Sequence, residues 1–336
     1  EGEERGKRLN SVFYLKSKPQ VLDNFLALRF VSHWRIAHMP SMPPLGSTMR
    51  THQPYPGVYA FYDGRIDGAR AYSADPNWLD DGAYTLGLCS YAVVSGEEAL
   101  VYDTSISNQH AALIRNTLQE AGVRHIRVVL SHWHVDHVAG NAVFADCEII
   151  ANDLTAKALT DNRERLENGT PPIRPLVMPN SIFTGERDLK IGDIAVQLRH
   201  VDIHSHDGTV MILPHLKLLF AGDALEEPIT YVAEPKRLEN HLLDLERIST
   251  WDIEKILPNH GAENVIVAGG YGPELIAATG RYVSKLMRLR NEPELAGDDL
   301  QAFTADDFRS GVLTYYAPYE PVHRQNVESV IGAHRK

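Results

Sequence analysis

The run Val128-Val129-Leu130-Ser131-His132-Trp133-His134-Val135-Asp136-His137 carries most of what this chain discloses about its fold. Residues 126–130 form a β-branched apolar run of strand length that ends at Leu130. Alternate residues of an extended chain point the same way, so His132 and His134 can face one point. Asp136 and His137 follow as the chain turns into a helix expected to open near Val138, and they can face an adjacent point. Imidazole and carboxylate together suit zinc, iron or manganese and need no thiolate. The plain alternative is a histidine-rich surface turn, but the edge where a strand enters a loop is where functional residues gather.

Outward from this segment, strand patterns fall at 58–62, 84–94, 99–103, 148–151, 194–201, 209–213, 217–221 and 256–257. Helical patterns fall at 108–121, 238–248 and 274–290, and residues 8–38 read as mixed helix with an apolar face. Residues 39–57 carry five prolines, Pro40, Pro43, Pro44, Pro54 and Pro56, and read as a linker or wall-hugging loop. Residues 63–83 read as a long polar loop containing Trp78. Sheets covered by helices on their outer faces are the expected arrangement.

Composition narrows the function classes. The 336 residues carry 44 acidic and 33 basic side chains, a formal charge of −11. That balance argues against nucleic acid as a partner, because a binder needs a basic footprint to displace counterions. No stretch reaches the roughly 18–20 apolar residues of a membrane span. Two cysteines, Cys89 and Cys147, exclude a disulfide framework and read as small buried hydrophobes. Low cysteine content, with no charged-then-apolar leader, makes the cytoplasm the expected location. Sixteen histidines are the unusual count. His33, His38, His52, His110, His125, His200, His215, His241, His323 and His334 read as surface or packing residues. Gly269-Gly270-Tyr271-Gly272 reads as a turn and Glu226-Glu227 as a solvated one.

His132-x-His134-x-Asp136-His137 resembles the signature of the metallo-β-lactamase superfamily. That pattern calls for a histidine, an aspartate or cysteine, and a histidine at long spacing. Val201-Asp202-Ile203-His204-Ser205-His206-Asp207-Gly208, Phe220-Ala221-Gly222-Asp223 and Leu257-Pro258-Asn259-His260-Gly261 supply them in order. The resemblance covers residues 55–270. His204, ten residues before Pro214, has the family spacing and is preferred over His206. Asp207 is then a candidate to orient it. Asp223 stands where one true β-lactamase subclass has cysteine, and no lysine follows it closely, which disfavours β-lactams.

The resemblance implies an α/β fold, the αββα sandwich of two mixed sheets with helices on the outer faces. It would occupy 55–295, between a partly helical N-terminal extension, 1–54, and a helical tail, 296–336, packed on the domain. The extension could shape the pocket, pair two subunits into a homodimer or brace the core. The resemblance further implies two divalent ions, zinc foremost with iron or manganese as alternatives. His132, His134 and His204 would hold one, Asp136, His137 and His260 the other, with Asp223 bridging. Ions about 3.5–4 Å apart can share a hydroxide of pKa near ~7 as nucleophile, which Asp136 would orient as the catalytic residue. The expected activity is dinuclear zinc hydrolysis of a small ester, lactone or amide. Phosphodiester or sulfate-ester hydrolysis and a di-iron oxidoreductase are the alternatives. For the small-molecule pocket, Trp78 is a lid or an anchor beneath its loop, Tyr231 could reach a substrate oxyanion, and His206 could line the wall. Arg163, Arg165 and Arg174 could form the opposite side.

Overall fold

Strand alternation sorts the apolar residues of this chain onto opposite faces of two sheets. The structure, a computed structural model, describes residues 41–334. The helical reading of 8–38, with His33 and His38, lies outside the described residues. One sheet runs in spatial order β1 (Arg50–Tyr55), β2 (Val58–Asp63), β3 (Leu88–Ser95), β4 (Glu98–Tyr102), β5 (His125–Val129), β6 (Glu148–Asn152), β7 (Ser181–Phe183). Its first four strands pair antiparallel and its last four parallel. The second sheet contains β8 (Glu186–Ile191), β9 (Ile194–Ile203), β10 (Ser205–Leu213), β11 (Leu218–Gly222) and β12 (Lys255–Pro258). Only its β11–β12 pair is parallel. Both sheets are therefore mixed.

On β4, Leu100 and Tyr102 face the second sheet while Ala99 and Val101 face outward, the period of two that a strand imposes. The inter-sheet core joins Tyr91, Tyr102 and Val129 to Leu198, Met211 and Phe220. Tyr91 meets the Phe220 ring edge-on at 5.3 Å. Truncating a buried phenylalanine such as Phe220 costs about 3–5 kcal/mol. The outer face of the first sheet is covered by α1 (Asn108–Glu120), α2 (Val135–Val138), α3 (Asp153–Asp161) and α4 (Arg163–Glu167). Ala111, Ile114 and Leu118 of α1 line its buried stripe. The second sheet's outer face carries α5 (Leu238–Ser249) and α7 (Glu274–Arg288), while α6 (Glu263–Val267) lies between them in sequence. Next come α8 (Leu300–Phe303), α9 (Ala305–Ser310) and α10 (Glu320–His334). From these, Leu300, Phe303, Val327 and Val330 enter the same apolar cluster as α5 and α7. The layers are helix, sheet, sheet, helix. Among the described residues, no helix is long and apolar enough to cross a membrane.

Four elements differ from expectation. The proline-rich stretch contains β1, which tolerates Pro54 because it pairs on one side only, with β2. The edge strand β8 and the three-residue β7 gave no sequence signal strong enough to read. Residues 80–84, read as the end of the polar loop with a strand opening at Tyr84, form a helical turn, and β3 begins only at Leu88. There Asp80 accepts the Ala71 N–H at 2.7 Å and an Arg70 Nε–H at 2.7 Å, contacts that close the loop locally.

Candidate metal centre

β4, β5, β11 and β12 run parallel where they adjoin β5 and β11, so the loops leaving them meet at one edge of the sandwich, the usual place for a site in an α/β protein. Ser131–Asp136 leaves β5, Asp223 leaves β11, and His260 lies just past β12. His204 occupies the junction of β9 and β10 with φ +65°, a left-handed conformation costly for a non-glycine residue. Gly222, immediately before Asp223, has φ +57°. A Cβ there would lie 3.0 Å from Ser131 Cβ and 3.1 Å from the Tyr102 hydroxyl. Glycine thus lets β11 end tightly against the histidine loop.

Among the described residues, two groups of side chains bring their donor atoms within 4.8 Å of one another: His132, His134, His204, Asp223 and Asp136, His137, Asp223, His260. Asp223 belongs to both. Its Oδ2 lies 3.1 Å from His137 Nε2, 3.5 Å from His260 Nε2, and 3.6 Å from both His132 Nε2 and His204 Nε2. His134 Nδ1 is 2.9 Å from His132 Nε2 and 2.9 Å from His204 Nε2. Asp136 Oδ2 is 3.2 Å from His260 Nε2. All seven metal-ligand candidates read from the sequence are brought together here.

The outer nitrogens show which way the lone pairs point. His204 Nδ1 lies 2.9 Å from the Tyr231 carbonyl, and His260 Nδ1 lies 2.6 Å from the Gly87 carbonyl. A carbonyl only accepts, so Nδ1 of each carries the proton and Nε2 turns its lone pair inward. His137 Nδ1 faces Asp103 Oδ2 at 2.9 Å, and His132 Nδ1 faces Ser131 Oγ at 2.9 Å. Burial and the neighbouring imidazoles hold His132 and His134 well below the ordinary imidazole pKa, keeping them neutral donors. Burial opposes charge on Asp223, but His137 and His260 outweigh it and hold its carboxyl well below the usual range. Burial likewise opposes charge on His137, and the carboxylates of Asp223, Asp136 and Asp103 outweigh it. The remaining Asp223 oxygen, Oδ1, is buried without a hydrogen-bond partner among the described residues. An unpartnered carboxylate oxygen amid converging nitrogen lone pairs fits a cation, and the donors suit a borderline divalent ion.

Several supporting residues escaped the sequence reading. Asp103, fully buried at φ +68° after β4, accepts from Ser131 N at 2.6 Å and Asn259 Nδ2 at 2.6 Å besides facing His137. Its signal was present: an acid ending an apolar strand beside the histidine strand. Glu226 and Glu227 are buried, not a solvated turn. Glu226 Oε1 accepts from Tyr231 N at 2.8 Å and lies 3.5 Å from His204 Nδ1, while its Oε2 accepts from the Tyr319 hydroxyl at 3.2 Å. Glu227 Oε1 accepts from Thr314 N at 2.6 Å, and burial pushes its carboxyl pKa up. Tyr319 and Thr314 are far away in sequence, which hid these partners. Asp207 braces the histidine loop rather than His204, accepting from Trp133 N at 3.0 Å.

The pocket candidates separate. The Trp78 indole N–H donates to the Pro171 carbonyl at 2.9 Å and the ring packs on two apolar clusters, as an anchor does. The Tyr231 ring lies 5.8 Å from that of His204, its hydroxyl accepts from Gln325 Nε2 at 3.1 Å, and burial pushes its pKa up to about 12. His206 faces away into an ion pair, with Nδ1 2.6 Å from Glu234 Oε1.

The family model described as the metallo-beta-lactamase superfamily matches residues 85–266. An atrochrysone carboxyl ACP thioesterase of Aspergillus novofumigatus is 28% identical over 211 residues, 62% of this chain and 60% of that protein. An atrochrysone carboxyl ACP thioesterase of Paecilomyces divaricatus is 27% identical, over 63% of each chain. This chain thus spans under two thirds of the length of these relatives. A beta-lactamase-like protein 2 homolog of Drosophila melanogaster is 25% identical over 54% of this chain and 60% of its own. Among solved structures, a metallo-beta-lactamase from Pontibacter korlensis superposes with a TM-score of 0.54 at 16% identity, over 70% of this chain and 99% of its own. DIM-1 metallo-beta-lactamase gives 0.54 at 19%, over 73% and 98%. Those structures share the αββα fold described above, and the family match runs from the start of β3 through the histidine loop, His204 and Asp223 to His260: the chain belongs to the metallo-beta-lactamase superfamily.

Proposed function

We propose that this protein is a dinuclear zinc hydrolase of a small acyl substrate, an ester, lactone, amide or thioester. The convergence of two ligand groups on the single Asp223 Oδ2 carries this reading. The thioesterase names of the two fungal relatives favour a thioester. His132, His134 and His204 would hold one ion, Asp136, His137 and His260 the other, with Asp223 between them. When bound, the ions lower the pKa of water toward ~7 and stabilise the oxyanion that develops on the acyl group.

The chain's own residues do the rest. Asp136 turns Oδ2 toward His137 and His260. Its Oδ1 is left to accept a hydrogen bond from the attacking water and aim its lone pair at the acyl carbon. Asp136 is also more exposed than Asp223, 12% against 4%, as a group that meets solvent must be. Asp103, Ser131, Tyr231 O and Gly87 O fix four imidazoles in the orientation the ions need. We assign the catalytic domain to 55–295, with the 296–336 tail bracing Tyr231 and Glu226 through Gln325 and Tyr319.

The test is metal analysis with an activity assay on the full chain. Two zinc ions per chain and chelator-sensitive hydrolysis of an aryl ester or acyl thioester are expected. Stoichiometric iron with oxygen-dependent turnover overturns the reading. So does a His132→Ala or Asp223→Ala variant that keeps both ions and full turnover.

A further inference from the structure

Three arginines follow β6, and the structure gives them different positions. Arg163 Nη1 pairs with Glu167 Oε1 at 3.0 Å, and Arg174 donates to the Glu167 carbonyl at 2.5 Å and to Asn168 Oδ1. Arg165 has neither hydrogen bond nor ion pair among the described residues. Its guanidinium lies over the Trp133 indole, 4.6 Å from the ring centroid. Trp133 stands between two ligand candidates, and its ring is 4.9 Å from that of His134. Arg165 also interacts electrostatically with the Tyr231 phenol, and the Tyr231 ring lies 5.8 Å from that of His204. The guanidinium therefore stacks on an aromatic ring that itself meets a histidine of one ligand group. Neighbouring atoms strip enough water from it to pull its pKa below the usual guanidinium value. A cation stacked on an indole, with no counter-ion among the described residues, gains from an anion brought to it.

We propose that Arg165 is a specificity-determining residue that receives a carboxylate carried on the acyl part of the substrate. This rests on the hydrolase reading above and narrows its substrate class to acyl compounds with a second, negatively charged end. Stacking on Trp133 fixes the plane of the guanidinium and leaves its fork free for two parallel N–H to oxygen bonds. One guanidinium balances one negative charge, which suits a carboxylate better than a phosphate carrying close to two.

The experiment compares zinc-loaded wild type with Arg165→Gln, an exposed position where the change leaves the fold intact. Mono-(4-nitrophenyl) succinate and 4-nitrophenyl butyrate differ in the terminal carboxylate. The ratio of their kcat/KM values measures the preference, and calorimetric Kd values for succinate and butyrate measure it without turnover. The expected result is a wild-type preference for the succinyl member in both pairs that drops about ten- to hundredfold in Arg165→Gln. An equal preference in the two proteins overturns the assignment. Inorganic phosphate that binds more tightly than succinate, and loses that advantage in Arg165→Gln, overturns the carboxylate. If zinc-loaded wild type hydrolyses neither ester nor an acyl thioester, the hydrolase reading fails, while the succinate and butyrate affinities still decide the role of Arg165.

Discussion

Replacing Asp103 by asparagine tests whether the metal centre is set from beneath. The Asp103 carboxylate takes three donors at once: the Ser131 N–H, the Asn259 amide and the His137 ring. Its φ of +68° lies where asparagine is among the best tolerated residues, so the variant changes charge and donor count without backbone strain. An amide has one accepting oxygen. If that oxygen keeps His137 and Asn259, the new NH2 group meets the Ser131 N–H, donor against donor. Leaving that buried N–H unpaired costs about 1–3 kcal/mol, and the two surviving bonds lose their charge assistance, about 1 kcal/mol more each. We expect a total of about 3–5 kcal/mol, read as a lower urea midpoint in chelator-treated protein. His137 also loses the carboxylate that orients it, so zinc affinity should fall about 10- to 100-fold in competition with a chromophoric chelator. Stability within about 1 kcal/mol of wild type, together with zinc affinity within about twofold, would refute the argument.

Other perturbations probe neighbouring parts. Glu226→Gln keeps an acceptor for Tyr231 N but removes the negative charge 3.5 Å from His204 Nδ1. It should weaken binding of the ion that His132, His134 and His204 would hold about tenfold in the same competition assay; an unchanged affinity counts against it. Gly222→Ala forces a side chain into a left-handed residue and against Ser131 and Tyr102. It should cost at least about 1–2 kcal/mol in urea, and a neutral result would show that β11 can shift without consequence. His241 is fully buried, both its ring nitrogens lack partners among the described residues, and burial pulls its pKa down to about 4 from 6.5. The unfolded chain therefore binds the extra proton between those values, and the native state loses stability as pH falls from 6.5 to 4. The loss approaches about 3 kcal/mol. In chelator-treated protein His241→Leu should remove that part of the acid limb, and parallel pH profiles for variant and wild type would contradict the assignment.

Local pattern disclosed much of this molecule because much of it is local. Strands buried on both faces must be continuous apolar runs, so β3 to β6 and β9 to β12 show in the residue order. The spacing His132-x-His134 at a strand end is itself a geometric statement, since period two puts both rings on one side. Asp223 and His260 were nominated by the spacing of the family pattern that this segment resembles. The edge strands β1 and β8, paired on one side and partly solvated, lack that run and stayed hidden.

What tertiary structure alone decided is which side chains meet. The sequence by itself determined sheets covered by helices and the cluster His132, His134, Asp136 and His137, because strand period is a property of neighbours along the chain, while the sandwich and the other three ligands came through the resemblance those residues carry. It could not show that Asp223 Oδ2 would touch four imidazoles, that Asp103 would gather donors from Ser131, His137 and Asn259, or that Glu226 would be buried against Tyr319. Nor could it distinguish Arg165 from Arg163 and Arg174, alike in composition and separated only by what each one touches. Hydrogen bonds and ion pairs depend on distances of a few ångströms between residues up to 231 positions apart. Those distances exist only once both sheets have closed over their shared core.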